Sequence, residues 1–340
     1  MTVNCAIVGF GKMAESCHKV LLDKTPGARL LAVWDITETR RAAAAKAGVP
    51  RIYSSFAALL RDRDIDAVSI CTPSNSHVTL GLQALRAGKH VLVEKPAARS
   101  AAELRKFIAA ARRARRVLTV FHNRRFDSDF LAARDVVRRQ LVGRPIAVEA
   151  RWHMYGSTSG FAVPDFRQNW RDLRRFAGGF LMDLGVHLLD QLNQLAPARP
   201  VQVFGALRGA VWTKECDDYA AGFVIFEDGL VALMETGGII NVKLPRWRII
   251  GTRGMAVSNA QTKAMDLYLG KTDKPTRSLS FDRPSKWGEV YRTFAAAIRD
   301  RKKRPAVDPE SVVTTMQLVD AYRESSRTGR SVAIAGPRAK

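Results

Sequence analysis

The chain reads as two domains of different class. A doubly wound α/β domain on a parallel sheet comes first, followed by an α+β domain on a large, mostly antiparallel open sheet. Three observations predict this. Short apolar runs alternate with helical stretches as far as residue 122, the pattern of a parallel sheet with helices on both faces. Beyond it, the strand-like runs 146–154, 201–208, 219–226, 230–236, 246–251 and 254–257 are not each followed by a helix. Turn residues punctuate those runs, notably Asp228-Gly229, a hairpin signal. The domains expected are therefore 1–122 and 123–335, with 336–340 as a disordered tail.

The first strand, Val3-Asn4-Cys5-Ala6-Ile7-Val8, is almost wholly apolar and runs straight into glycine, as a strand buried on both faces does. Residues 14–22 lack Gly and Pro and read as a helix. Between them, Gly9-Phe10-Gly11-Lys12-Met13-Ala14 has the G-x-G-x-x-A form of a dinucleotide loop. Gly9 supplies the turn, Gly11 lets the backbone approach a pyrophosphate, and Ala14 lets helix and strand pack closely. The helix N-terminus offers N–H groups and a positive dipole end to the phosphates. The first domain is therefore expected to be a Rossmann domain.

Residues 29–34 form the second strand and end at Asp35, about 20 residues past the loop, where the fingerprint places an acid. A carboxylate there accepts from the ribose hydroxyls and repels a 2′-phosphate, which predicts NAD. Arg40 and Arg41 leave NADP open, and Asp35 could instead cap the next helix. Helices follow at 37–47, from Ser54 or Ser55 to Leu60, at 78–87 and at about 100–115, with strands at 67–71, 90–93 and 117–121. The loop Thr72-Pro73-Ser74-Asn75-Ser76-His77 lies at a strand's carboxyl end, where open α/β sheets bind ligands. The second domain's helices are expected at 127–141, 179–195, 288–301 and 309–327.

With 46% hydrophobic and 26% charged residues in 340, the chain is globular. Its four cysteines form no C-x-x-C pair, so neither zinc nor a disulfide framework is expected. No apolar run is long enough to span a membrane. Residues 3–8 are needed as a strand, which argues against a signal peptide and for a reducing cytoplasm. The net charge of +23 is unusual. Its arginines crowd residues 105–116 and 299–304 without interleaved aromatics or recognition-helix spacing, which reads as solvated helix faces and no nucleic-acid partner. An anionic substrate stays open.

Two constellations could carry chemistry. Glu94-Lys95-Pro96 follows a buried strand, and a lysine there can hold or polarise a substrate oxygen. Pro96 stops the strand and orients Lys95, although Glu94 could simply form an ion pair with a neighbour. In Gly178-Gly179-Phe180-Leu181-Met182-Asp183-Leu184-Gly185-Val186-His187, Asp183 and His187 are four apart, and Asp190 lies three further on. All three share a helix face. A neutral His beside a carboxylate is the usual form of a general base, whereas a lone helical His is often a satisfied structural residue. One His and two Asp make a poor metal site, and none is expected. Trp170-Arg171 could form a wall or an anion clamp, or serve packing alone. Asn123, at the end of the last parallel strand, and Trp170 complete the cofactor-binding candidates.

Taken in order and spacing, the glycine loop, Asp35, the Thr72–His77 loop, Glu94-Lys95-Pro96 and the Gly178–His187 segment resemble the glucose–fructose oxidoreductase/inositol 2-dehydrogenase (Gfo/Idh/MocA) family of NAD(P)-dependent oxidoreductases. The resemblance covers almost the whole chain. Ala177 departs from it, standing where many members carry a third Gly. The resemblance implies hydride transfer between nicotinamide and a sugar, inositol or related polyhydroxylated compound. It gives Lys95 contact with the nicotinamide ribose and the substrate hydroxyl, makes His187 the proton acceptor, and has Asp183 position the substrate and tune His187. Thr72, Pro73, Asn75, His77 and Glu94 would line the cofactor cleft. A homodimer or homotetramer through the C-terminal sheet is also implied. Two other readings stand beside this one: a non-catalytic dinucleotide-sensing regulator, and a glycosidase or lyase that uses bound NAD transiently.

Overall fold

The computed structural model describes residues 2–161, 163–167 and 169–336; residues 337–340 of the expected tail lie outside the described residues. The chain divides into two compact units. The first comprises the chain as far as His122 together with Thr158–Gly178 and Trp287–Met316, and the second comprises Asn123–Ser157, Gly179–Lys286 and the chain from Gln317. Residues 158–178 and 287–316, which the sequence pattern assigns to the second domain, thus cluster with the first.

The first unit holds strands β1 (Val3–Val8), β2 (Ala28–Trp34), β3 (Arg51–Tyr53), β4 (Ala67–Ile70), β5 (His90–Val93) and β6 (Leu118–Val120). They form one parallel sheet in the order β3-β2-β1-β4-β5-β6. The order reverses between β1 and β4, which places the ligand crevice beyond the carboxyl ends of those two strands. Strand β1 is buried on both faces, as its apolar run requires. The helix expected at 14–22 begins differently: a π-helical turn, Ala14–Lys19, precedes α1 (Val20–Lys24).

Then come α2 (Glu38–Lys46), α3 (Phe56–Arg61), α4 (His77–Arg86) and α5 (Ala101–Arg113). Ser55 caps α3, and Ser100 caps α5 by accepting from the Glu103 N–H at 3.2 Å. Leu104, Phe107, Ile108 and Ala111 form the buried stripe of α5, with its arginines on the other side.

In the second unit, α6 (Ser128–Arg138) and α7 (Val186–Leu195) accompany a sheet of nine strands among the described residues. These are β7 (Pro145–His153), β8 (Pro200–Arg208), β9 (Tyr219–Phe226), β10 (Val231–Gly237), β11 (Trp247–Gly251), β12 (Gly254–Asn259), β13 (Ala264–Leu269), β14 (Arg277–Ser280) and β15 (Val332–Ala333). Every pairing is antiparallel except β7 with β10. The Asp228-Gly229 turn joins β9 to β10, with Gly229 at φ +83°. No helix of the described residues is long and apolar enough to cross a membrane.

Candidate active site

In the first unit, a cavity of about 340 Å³ opens at the sheet's switch point. The glycine loop forms one wall through Gly9, Gly11, Lys12 and Met13, and Asp35, Thr72, Pro73, Asn75 and Trp170 stand around it. Gly9 has φ +89°, and a side chain there would run into Thr72 at 2.8 Å. Around Gly11 nothing lies within 4 Å, so the space a side chain would fill is open. That is the cradle a pyrophosphate needs. The ladder of the following helix begins with the Glu15 N–H donating to the Gly11 carbonyl at 3.0 Å, leaving the first N–H groups without intrahelical acceptors.

Asp35 does more than its position predicts. Its Oδ2 accepts from the Phe10 N–H at 2.7 Å, and its Oδ1 accepts from the N–H (2.8 Å) and hydroxyl (3.0 Å) of Thr37. It therefore fixes the glycine loop and starts α2 at once, while still facing the cavity. Arg40 donates to the Phe10 carbonyl at 2.7 Å and pairs with Glu15 at 2.5 Å and with Asp165 at 3.7 Å. Trp170 and Arg171 stack with the guanidinium 4.4 Å from the ring, and Phe166 and Phe176 extend the same aromatic wall.

Three of the expected cofactor-lining residues lie beneath this surface. Phe10 is fully buried. Both ring nitrogens of His77 face backbone carbonyls, of Thr72 at 2.8 Å and Pro96 at 2.9 Å, and the neutral ring donates its one N–H to one of them. It ties the loop after β4 to the one after β5. Burial lowers its pKa against the opposing pull of those carbonyls. Glu94 is buried too: its Oε2 accepts from the Lys95 N–H at 2.9 Å, and its Oε1 meets His18 Nε2 at 2.8 Å. The other nitrogen of His18 meets the Tyr291 hydroxyl at 2.7 Å, which donates to Ser69 at 2.9 Å. Burial alone would raise the Glu94 carboxyl, but the His18 hydrogen bond and the charges of His18, Lys95 and His77 bring it below the ordinary value. Glu94 thus does meet a neighbour, as the alternative reading of the sequence expects, and that neighbour is His18. Lys95 itself is half-buried, and its bond to Pro96 is cis.

The second unit carries the other constellation. The helix expected over 179–195 opens with a π-helical turn, Leu181–Gly185, before α7. Asp183 and His187 are both buried on it, and Trp152 stacks on the His187 ring with centroids 6.4 Å apart. Asp190, predicted on the same face, is committed elsewhere. Its two oxygens accept from Arg125 at 2.6 and 2.7 Å in a bidentate pair. Gln191 adds a bond to the Arg124 carbonyl at 2.6 Å, fastening α7 to the short 3₁₀ segment that begins at Asn123. Asn123, an expected cofactor ligand, is buried in that segment.

The start of this helix is pinned by Asp217, which no sequence pattern marks. Its carbonyl accepts from the Phe180 N–H at 2.9 Å and its Oδ2 from the Leu181 N–H at 2.6 Å. Gly179, at φ +101°, leaves the room that the Asp217 carboxylate occupies, and Gly178 packs where a Cβ would strike the Arg171 carbonyl. Both glycines of the motif are therefore steric requirements.

Comparison with known proteins agrees with this geometry. The solved structure of an NAD-binding protein from Listeria innocua superposes with a TM-score of 0.86 at 31% identity, covering 98% of this chain and 97% of that one. The uncharacterized oxidoreductase YdgJ of Escherichia coli is 34% identical over 191 residues, 56% of this chain and 52% of that protein, so the match spans about half of that relative's length. The 1,5-anhydro-D-fructose reductase of Ensifer adhaerens is 28% identical over 92% of both chains. Residues 3–122 match the model of the oxidoreductase family's NAD-binding Rossmann fold, and residues 130–257 match the GFO/IDH/MocA C-terminal domain. With both of its characteristic domains present in order, the chain belongs to the Gfo/Idh/MocA oxidoreductase family.

Proposed function

We propose that this protein is an NAD(P)-dependent dehydrogenase or reductase acting on a CH–OH or keto carbon of a sugar, inositol or related polyhydroxylated compound. One observation carries the reading. The same chain holds a cavity shaped for a dinucleotide and a separately braced helix bearing a buried Asp183 and His187. A protein that only sensed the cofactor would have no use for an acid–base pair. The reductase name of the Ensifer adhaerens relative supports a sugar-like substrate.

Bound nicotinamide supplies the hydride acceptor or donor. In the oxidative direction, His187 accepts the proton of the substrate hydroxyl at a ring nitrogen, and Asp183 orients the substrate and stabilises the imidazolium. Lys95 holds the substrate oxygen with its ammonium. Glu94, fixed by His18, grips the Lys95 backbone N–H and keeps that side chain's base in place. The Asp35 carboxylate on the cavity wall, together with an Arg40 already neutralised by Glu15, favours NAD over NADP.

Replacing His187 with alanine should lower kcat by at least about 10²-fold while NADH affinity stays nearly unchanged. Turnover within a few-fold of wild type would remove His187 as the base. NAD(P)H absorbance across polyols, aldoses, inositols and uronic acids identifies the substrate needed for that assay.

A further inference from the structure

The two basic stretches noted in the sequence are far apart in the chain but meet in the first unit. Arg112, Arg115 and Arg116 at the end of α5, and Arg301, Lys303 and Arg304 after the helix Gly288–Arg299, line one cavity of about 500 Å³. It shares no lining residue with the cavity at the glycine loop. Among its lining residues the carboxylates are Asp308 and Glu310, and Glu310 is already paired with Arg112 at 2.6 Å. Solvated helix faces account for Arg105, Lys106 and Arg113, which lie outside the lining. They do not account for six cations gathered on a concave surface, where like charges repel and apolar neighbours such as Ile108 and Ala297 focus the field.

Two details show that the cluster is organised. Arg116 is held from behind, its Nε donating to the Gly88 carbonyl at 2.5 Å and its Nη1 to the Arg115 carbonyl at 3.3 Å. Arg115 sits at φ +52°, the left-handed position that Gly48 and Gly88 occupy just past α2 and α4. Arginine stands there against the preference of the backbone. The field reaches His90 on the same wall, whose pKa is pushed down to about 4 by burial and then by Arg116 and Arg301.

We propose that this cavity binds a small, multiply phosphorylated anion at a site separate from the cofactor's. Guanidinium groups meet phosphate oxygens in paired N–H···O contacts, and several such groups around one hollow suit adjacent phosphates.

The test is calorimetric titration of the full-length protein with inorganic tripolyphosphate, at low salt and in excess NADH so that the glycine loop is filled. One-to-one binding is expected. Arg115→Gly and Arg304→Ala should each weaken it at least about tenfold, while Arg277→Ala, an exposed arginine on β14, should not. Arg115→Gly is the decisive variant because its backbone conformation suits glycine, so its melting temperature should hold or rise and lost binding cannot be ascribed to unfolding. Absent binding, or equal weakening by Arg115→Gly and Arg277→Ala, overturns the proposal. So does a single-stranded oligonucleotide binding where tripolyphosphate does not, since the hollow would then be a nucleic-acid groove.

Discussion

Each unit has one helix that carries candidate functional groups, and the two begin alike but are put to opposite uses. Each follows a glycine pair, each opens with a π-helical turn, and each is fixed by an aspartate from elsewhere in its own unit. In the first unit, Asp35 takes the Phe10 N–H, four residues before the turn that starts at Ala14, and leaves the helix end open to the cavity. In the second, Asp217 takes the Leu181 N–H itself. The first helix end is thus available to an anion from outside, and its function lies in the backbone. The second has its anion built in, and the role proposed for it lies in the side chains of Asp183 and His187. Turns wider than an α-helix recur at functional sites; here the same irregular start follows the glycine loop in one case and carries the proposed acid–base pair in the other.

The glycines separate the two uses most sharply. A methyl at Gly179 meets the Asp217 carboxylate and must also adopt φ +101°, so Gly179→Ala should destabilise the fold by about 2–4 kcal/mol. At Gly11 nothing stands within 4 Å, so Gly11→Ala should leave the melting curve unchanged and weaken NADH binding instead. Thermal denaturation and NADH titration of both variants check this. If Gly11→Ala unfolds and Gly179→Ala does not, the contrast between the helix ends is false.

Asp217 gives a smaller, pH-dependent effect. Burial raises its pKa to about 6, with Asp218 adding to the shift and the Leu181 N–H and Arg323 opposing it. The folded state therefore binds this proton more tightly than the unfolded state does. Its contribution favours folding below the ordinary aspartate value near 4 and is lost as pH rises through about 6. Asp217→Asn keeps an acceptor for Leu181 but has no proton to lose. Between pH 4 and 7, the wild type should lose about 1–2 kcal/mol relative to the variant. Parallel melting temperatures across that range would show that Asp217 is not the group titrating.

What was legible in the sequence follows the reach of each interaction. The glycine loop is a local requirement of turn and close approach, so Gly9 and Gly11 announce themselves. The Gly178-Gly179 pair was visible, but its cause was not, because Asp217 lies 36 residues from Leu181 in a loop without periodicity. His18 sits mid-helix where a solvent-facing polar residue is unremarked. It is buried only because Glu94 and Tyr291, 76 and 273 positions away, supply its partners. Strand β13 escaped because Asp266 interrupts its apolar run, and the acid is satisfied there by Ser278 at 2.6 Å and Asn259 at 3.2 Å. Strands β3 and β15, of three and two residues, carry too short a pattern to read.

The least drastic change is expected at Asp35, and it probes the side of the comparison that the sequence described best. Asp35→Ala removes a ribose acceptor and frees the Phe10 N–H together. The loop should bind both dinucleotides less well, with NAD weakened by about tenfold and NADP by less, because a repelling carboxylate is gone as its 2′-phosphate arrives. The ratio of the two dissociation constants therefore matters more than either alone. A ratio that moves toward NADP identifies Asp35 as a reader of the ribose. Equal weakening of both leaves it an anchor for the loop, the same part that Asp217 plays for the other helix.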